Sequence, residues 1–222
     1  MDLRTVRAAE PLKRIAGRNV SKADVAFYRV GELGVVVKDY SERPIWVRQT
    51  AGRFFTRREA AAYRAAQGVP GVPEFLGRLG PFTLATRWIE GAPLSDRVGE
   101  RLEPRFFERA AAVLDALHAR GIALGDLHHR DVIVAPDGSP WLVDFAMAWI
   151  AGEGAGSLRR ALFRRCRDLD RIALARIRAR FTGEDEAATV LAAVGPSASA
   201  LHSRGRRVKR LWDRLRGRRA RD

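Results

Sequence analysis

The sequence GDLHHRDVIV at residues 125–134, followed by WLVDFA at residues 141–146, decides the fold of this chain. The two apolar runs flank a Pro-Asp-Gly tripeptide that is typical of a tight turn, so they predict a β-hairpin. Asp126 and Asp131 lie in the loop that enters the hairpin, and Asp144 ends its second strand. The pattern therefore assigns three carboxylates to one loop-and-hairpin unit.

Three carboxylates in this order suit phosphoryl transfer. One can take the proton of an incoming hydroxyl, and the others can hold Mg²⁺ on nucleotide phosphates. Hard oxygen ligands on short side chains favour magnesium over zinc. The adjacent His128 and His129 have no Cys/His partner set at ligand spacing, so we interpret them as loop packing or substrate contacts.

Upstream of this unit the chain is predicted to form a small sheet. Residues 25–30 and 33–38 are rich in Val, Phe and Tyr and are joined across a Gly-Glu pair, which predicts a hairpin. Further strands are expected at 45–49, 75–79 and 82–89.

Helices are predicted between and after these strands. Thr56 is interpreted as an N-cap and Glu59 as the acid of its capping box, although Glu59 also has a second interpretation, given below. An apolar stripe at helical spacing begins at Phe106, and Gly121 stops that helix. The expected helices cover residues 56–67, 106–120, 158–180 and 184–194.

The charge of the chain is uneven. Among its 222 residues are 41 Lys and Arg against 26 Asp and Glu, a formal charge of +15, and 46% of the residues are hydrophobic. That hydrophobic share can form a packed core, which excludes a wholly disordered chain. Only four of the cations are lysines. Residues 201–222 carry ten cations and two acids, so more than half of the net charge lies in this tail.

The tail at 201–222 places Val208, Leu211, Trp212 and Leu215 at helical spacing among arginines. This pattern is typical of a basic amphipathic helix on an anionic membrane surface. A solvated terminus is the ordinary interpretation of such a charge run, the membrane surface comes next, and nucleic acid is a weaker alternative partner.

Other features of the sequence concern its location. No apolar stretch reaches the ~18–20 residues that a spanning helix needs. The basic start has no apolar segment of the kind found in secretory signals. Cys166 is the only cysteine, which matches a reducing compartment. We therefore expect a cytoplasmic protein, with a peripheral position on the inner membrane face as an alternative.

Over residues 25–172 the chain resembles the protein-kinase-like superfamily, particularly its small RIO-type and lipopolysaccharide-kinase-like bacterial members. Those members show a pattern close to H-G-D-L-H-x-x-N-I-L-V and then a strand ending in I-D-F. The resemblance implies that Asp126 is the catalytic base, that Asp131 replaces a metal-binding Asn, and that Asp144 holds Mg²⁺. Residues 168–170 (DLD) resemble the segment that opens the C-terminal helices.

Upstream segments extend the resemblance. The run VVVK that ends at Lys38 resembles the strand whose lysine grips nucleotide phosphates, and Glu59 resembles the ion-pair partner of that lysine. Residues 83–91 resemble the connection between two lobes. The resemblance then implies that the backbone from Arg87 to Ile89 binds the adenine of ATP.

The chain also departs from the family pattern. Leu124 stands where the family usually has His, and Asp131 adds a negative charge that would repel Asp144. Gly31 and Gly34 are the only glycines left where a phosphate-covering loop would be rich in them. These departures favour, as an alternative, a catalytically degenerate nucleotide-binding sensor or scaffold.

The resemblance implies an α+β, compact bilobal protein-kinase-like fold with a minimal C-lobe. A β-rich N-lobe would cover residues 1–90, a helical C-lobe would cover 91–200, and the basic tail would cover 201–222. The implied function is that of an ATP- and Mg²⁺-dependent kinase. Its acceptor would be a hydroxyl of a lipopolysaccharide-core sugar or of a protein serine or threonine. A RIO-like RNA-associated factor is a further alternative.

Overall fold

The protein is a mixed α+β structure built around a five-stranded antiparallel sheet. In the computed structural model the predicted tail at 201–222 lies outside the described residues. The residues described are 6, 9–17, 20, 22–152 and 156–195.

The five-stranded sheet has the strand order β1-β2-β3-β5-β4. The predicted first hairpin is confirmed, because β2 and β3 pair antiparallel in a register that sets Val25 opposite Lys38. On its other side Lys38 pairs with Leu84 of β5, so it lies on the central strand. The strands are β1 Lys13–Ile15, β2 Asp24–Val30, β3 Leu33–Asp39, β4 Phe75–Arg78 and β5 Thr83–Arg87.

The strand expected at 45–49 is wrong, because this segment is helical. A short helix, Ile45–Val47, and a π-helical turn, Arg48–Gly52, lead directly into helix α1, Arg53–Ala65. Pro44 precedes the first helical position, where a missing backbone N–H is tolerated. A short apolar run does not by itself distinguish helix from strand, which explains the error.

The predicted capping box at Thr56 and Glu59 is also wrong, because the helix begins earlier in the chain than expected. Helix α1 is already established three residues before Thr56, so Thr56 and Glu59 are interior positions of the helix. Both side chains are buried, with 1% of each residue exposed. Glu59 is therefore a buried acid that requires a partner other than the helix N-terminus.

The remaining elements follow the sequence more closely. The second predicted hairpin is confirmed as an antiparallel pair of strands that share the register Val132↔Leu142. Gly121, at φ 71°, follows the helix that it was predicted to stop. A further helical segment covers 186–195. The elements are β6 Ala92–Pro93, α2 Pro104–Ala119, β7 Ile122–Ala123, β8 Val132–Val134, β9 Pro140–Leu142, β10 Trp149–Ile150 and α3 Ser157–Thr182.

A small cluster packs Ile172 and Ala175 of α3 against Val190, and two larger buried clusters hold the rest of the described fold. The larger one joins α1, α2, the β8–β9 hairpin and α3, and it includes Tyr63, Leu114, Leu142, Phe145 and Leu174. The smaller one packs Val6 against the sheet residues Val35, Val37 and Ala85. None of the helices in the described part of the chain combines the length and the apolar character needed to cross a membrane.

Gly91 lies between β5 and β6, where the chain passes close to the backbone of Val134 and Ala135. It has φ 140°, and a Cβ there would lie 2.9 Å from the carbonyl carbon of Val134 and 3.0 Å from Cα of Ala135. Gly91→Ala should lower the free energy of unfolding by about 2–4 kcal/mol in chemical denaturation.

The matched control is Gly99→Ala. Gly99 also has a positive φ, 103°, but a Cβ there would meet nothing within 4 Å. Gly99→Ala should lower the free energy of unfolding by about 1 kcal/mol, because only the backbone conformation is disfavoured. Equal losses in the two variants would contradict the steric explanation.

Candidate functional site

The ammonium group of Lys38 connects three elements of the fold. Its Nζ donates to Oε1 of Glu59 at 2.6 Å and to Oδ1 of Asp144 at 2.9 Å. Lys38 comes from strand β3, Glu59 from helix α1, and Asp144 from the segment after β9. The structure thus brings together three of the residues that the sequence singled out.

The electrostatics of this cluster are dominated by burial and by the opposed charges. Burial by itself would lower the pKa of Lys38, but the carboxylates of Asp144 and Glu59 outweigh it and hold that pKa well above its ordinary value. Burial raises the pKa of Glu59, and Lys38 opposes that rise. Lys38 lowers the pKa of Asp144 to about 2. The lysine is therefore a permanent cation, and Asp144 a permanent anion, at neutral pH.

Asp144 is held in an uncommon backbone conformation. Its φ of 69° is the only positive value at a non-glycine residue in the described part of the chain. The backbone N–H of Asp144 donates to Oη of Tyr63 at 3.2 Å, and its Oδ1 accepts from the N–H of Ala146 at 3.2 Å. Its side chain is 40% exposed. These contacts aim one carboxylate oxygen at Lys38 while leaving the group accessible.

Asp131 lies close enough to Asp144 for the two charges to interact. Burial, and then repulsion by Asp144, raises the pKa of Asp131 to about 7. Its Oδ2 accepts from the backbone N–H of His128 at 2.9 Å, and Arg130 lies 3.6 Å from Oδ1. Asp131 is therefore a buried acid whose pKa lies near neutral pH.

Asp126 makes no direct contact with Lys38, Glu59 or Asp144. Its carboxylate is half exposed and lies 3.6 Å from Nδ1 of His128, whose ring also contacts the Asp126 carbonyl oxygen at 2.7 Å. Of the two interpretations of His128, loop packing agrees with these contacts. Asp126 is thus presented to solvent by a loop that neighbouring residues hold in shape.

The loop is anchored from behind by Asp170 of helix α3. Its carboxylate accepts from the backbone N–H groups of Leu124 and Gly125, both at 2.7 Å, and it lies 3.1 Å from Nε2 of His118. Asp170 is 1% exposed. The sequence departure at Leu124 therefore leaves the backbone attachment of the loop intact, while the Leu124 side chain joins the core.

Sequence reasoning missed the anchoring role of Asp170, although a signal was present. Asp170 shares one helical face with Leu174, Ile177 and Phe181, all of which are buried. An acid at a core position of an apolar stripe requires a buried partner. That pattern alone would have identified Asp170 as a polar group inside the fold.

A cavity of about 310 Å³ opens beside the Lys38 cluster. Its lining includes Gly17 and Lys22 from the connection between β1 and β2, as well as Arg130. Gly31 and Gly34, which were expected to be the remnant of a phosphate-covering loop, do not line it. Gly31 instead belongs to the tight β2–β3 turn, with φ 61°. The structure therefore does not place these two glycines at the cavity, and the segment between β1 and β2 lines it instead. Strand β1 was not predicted, since all of its residues are exposed.

Arg87 and Ile89 lie in a different place. They line a second cavity, of about 690 Å³, that shares no residue with the cavity at Lys38. The N–H of Arg87 donates to the carbonyl oxygen of Glu74 at 2.8 Å, and the N–H of Trp88 donates to that of Gly34 at 2.9 Å. The structure therefore does not bring these two predicted residues to Lys38, and two of the expected backbone donors are already engaged.

Comparison with known proteins adds no assignment. A scan of the chain against protein-family models finds no match, and a search of curated proteins finds none either.

The raised pKa of Asp131 has a consequence for stability. In the unfolded chain this carboxyl titrates near its ordinary value of 3.8, whereas in the folded protein it titrates at about 7. The folded protein holds the proton more tightly, so stability falls as the pH rises from about 4 to about 7. Asp131→Asn should remove this loss of stability. Measured without Mg²⁺, its free energy of unfolding should exceed that of wild type by roughly 1–4 kcal/mol between pH 5 and pH 8, with the larger difference at the higher pH.

The control for this pH series is Asp137→Asn. Asp137 is exposed in the β8–β9 turn, and hydrogen bonds from Ser139 lower its pKa. Its titration lies below the tested range, so the variant should keep the wild-type slope above pH 5. An Asp131→Asn protein with that same slope would show that Asp131 is not the titrating group.

Asp170 gives a second test of the site. Asp170→Asn keeps the size of the side chain but weakens the acceptor of two backbone N–H groups, so it should cost about 1–3 kcal/mol in urea unfolding. Asp168→Asn, in the same helix, alters a half-buried acid whose one ion pair among the described residues is with Arg167 at 3.4 Å. That variant should lose less than about 0.5 kcal/mol. A comparable loss in both would argue against Asp170 as the anchor.

Proposed function

We propose that this protein is an ATP- and Mg²⁺-dependent phosphotransferase that acts on an alcohol acceptor. The observation that carries the proposal is the bridge from the Lys38 ammonium to the carboxylates of Glu59 and Asp144. A lysine held by one buried acid and placed beside a second, accessible acid suits the phosphates and the metal of a nucleotide.

Each residue of the cluster then has a separate task. Lys38 would steady the nucleotide phosphates, and Glu59 would hold the lysine in place from helix α1. Asp126, the exposed acid of the loop, would accept the proton of the acceptor hydroxyl. Asp170 would keep that loop in position without touching a substrate.

Asp144 and Asp131 would hold Mg²⁺. Burial and the repulsion by Asp144 raise the pKa of Asp131, and a divalent cation held by both carboxylates would relieve that repulsion. No group of three or more His, Cys, Asp or Glu side chains in the described ranges is arranged to hold a metal, so phosphate and water oxygens would complete the coordination. When bound, Mg²⁺ would neutralise charge on the transferred phosphoryl group.

The proposal includes a bilobal protein-kinase-like fold divided near residue 90. A sheet carrying the lysine, a helix carrying its acidic partner, and a loop and hairpin carrying the other acids occur in the order of that superfamily. By the same resemblance, the acceptor would be a lipopolysaccharide-core sugar or a protein serine or threonine. The adenine contact at Arg87 and Ile89 stays a prediction that the two-cavity arrangement does not support.

A catalytically degenerate nucleotide sensor is the second candidate. Asp131 favours it, because a buried acid in the place of a neutral amide repels Asp144 and would alter metal affinity. A RIO-like RNA-associated factor remains an alternative for the tail and predicts salt-sensitive RNA binding that deletion of residues 203–222 abolishes.

Turnover of Mg-ATP tests the proposal. Lys38→Met and Asp144→Ala should each lower phosphate transfer, measured with γ-labelled ATP and a panel of sugar and protein acceptors, by about a hundredfold or more. Lys13→Met is the matched control for the lysine, since Lys13 is exposed on β1, and it should keep wild-type turnover. Thermal unfolding of each variant separates loss of chemistry from loss of fold.

Each outcome of this experiment distinguishes the candidates. Turnover in wild type that both site variants lose supports the phosphotransferase. Binding of Mg-ATP to wild type without turnover on any acceptor overturns it and supports the sensor. Failure of the folded wild-type protein to bind Mg-ATP overturns both candidates.

A further inference from the structure

The structure exposes apolar and basic side chains together on one part of its surface. Eleven large hydrophobic side chains are exposed in the described part of the chain. Six of them lie in three segments: residues 45–54, the segment after Asp144, and the first two turns of α3. They are Ile45, Trp46, Phe54, Met147, Leu158 and Leu162. We call these six, with the arginines around them, the basic-apolar face.

The exposure of these residues is large. Trp46 is 68% exposed, Phe54 57% and Leu158 74%. Single exposed hydrophobic residues are ordinary on a protein surface, but clustered aromatic and aliphatic side chains mark a surface that another phase or molecule covers.

The π-helical turn before α1 contributes to the clustering. Trp46 and Phe54 are eight residues apart, which on a regular α-helix would set them about 80° apart around the axis. The intervening turn, Arg48–Gly52, is wider and takes more residues to complete one revolution. Because each residue of this turn rotates the chain by less than 100°, Trp46 and Phe54 come closer to the same side of the helical segment.

Arg58 joins the parts of the face. From α1, its guanidinium donates to the carbonyl oxygens of Met147 and Ala148 at 2.9 and 2.8 Å. It lies 5.8 Å from the ring centroid of Phe54 and 6.0 Å from that of Trp149 in β10, a strand that contacts α3. Helix α1, the segment after Asp144 and helix α3 are therefore neighbours at this surface.

The two helical segments of the face carry charge of one sign. Residues 44–58 and 157–167 contain no acid. Six exposed arginines lie in these two segments beside the apolar side chains, and none of the six takes part in an ion pair within the described residues. These arginines are Arg53, Arg57, Arg159, Arg160, Arg164 and Arg165.

We propose that the basic-apolar face binds an anionic membrane surface. Trp and Phe side chains favour the boundary between lipid headgroups and acyl chains, and arginines beside them favour anionic headgroups. A nucleic acid would match the arginines but would leave Ile45, Leu158 and Leu162 without a partner. This proposal is independent of the phosphotransferase function and of the tail.

One geometric consequence concerns the cavity beside Lys38. Phe55, the neighbour of Phe54, lines that cavity, and so does Met147. A protein docked through the face would therefore hold the cavity close to the membrane surface. Substrates attached to, or concentrated at, an anionic bilayer would be within reach.

Vesicle binding by the full chain tests the proposal. Large vesicles of phosphatidylcholine with phosphatidylglycerol should bind wild type in a sedimentation assay, whereas vesicles of phosphatidylcholine alone should bind it weakly. The double variant Trp46→Ala/Phe54→Ala should lower the partition coefficient by about tenfold. The matched control is Val98→Ala/Leu191→Ala, which removes two other exposed hydrophobic side chains, 52% and 48% exposed, and should leave it unchanged.

Fluorescence quenching by brominated lipid assigns the contact to a residue. The quenching should fall in Trp46→Phe and persist in Trp212→Phe, because Trp212 belongs to the tail. Quenching that persists in Trp46→Phe and is lost in Trp212→Phe would assign binding to the tail alone and overturn the proposal. The proposal would also be overturned if wild type bound no vesicles or bound neutral vesicles equally well. It would likewise be overturned if the protein bound RNA instead of vesicles and the double variant weakened that RNA binding.

Discussion

The salt bridge between Lys38 and Glu59 is the constraint on which the rest of the site depends. Glu59 is 1% exposed, and an ionised carboxylate at that depth requires a cation. Removing one partner of a buried pair typically costs about 3–5 kcal/mol, because the other charge is left without compensation. The pair therefore sets helix α1 against strand β3. Through its second bond, Lys38 also sets the position of Asp144 after the β8–β9 hairpin.

A second buried acid organises the opposite side of the site. Asp170 accepts two backbone N–H groups of the loop that carries Asp126, so α3 determines where that loop lies. The two anchors differ in chemistry. Glu59 orients the Lys38 ammonium, which faces the cavity. Asp170 lies in the core and orients the backbone N–H groups of the loop that carries Asp126. Both use a charge in an apolar setting to specify one arrangement, since any other arrangement would leave that charge unpaired.

The parts of the site that sequence reasoning found are those carried by residue type and order. Lys38 follows three valines on a predicted strand, and Asp144 follows a second short apolar run, so their elements were recognisable from local pattern. The parts that it missed have weak local patterns. Strand β1 has no buried residue to produce an alternation, and its connection to β2 was therefore not recognised as part of the cavity. Residues 45–49 form an apolar run that is short enough to fit either a strand or a helix, and in the structure this segment is helical.

By itself, the sequence determined the two hairpins, the helices α2 and α3, and the identity of the acids and the lysine, because periodicity and turn residues are local properties of the chain. Only the tertiary structure decided which acid meets which partner. It paired Glu59 with Lys38 instead of with a helix N-terminus, left Asp126 exposed, and separated Arg87 from the lysine. The physical reason is that burial and charge pairing depend on distances between elements far apart in the chain, and no local pattern contains those distances.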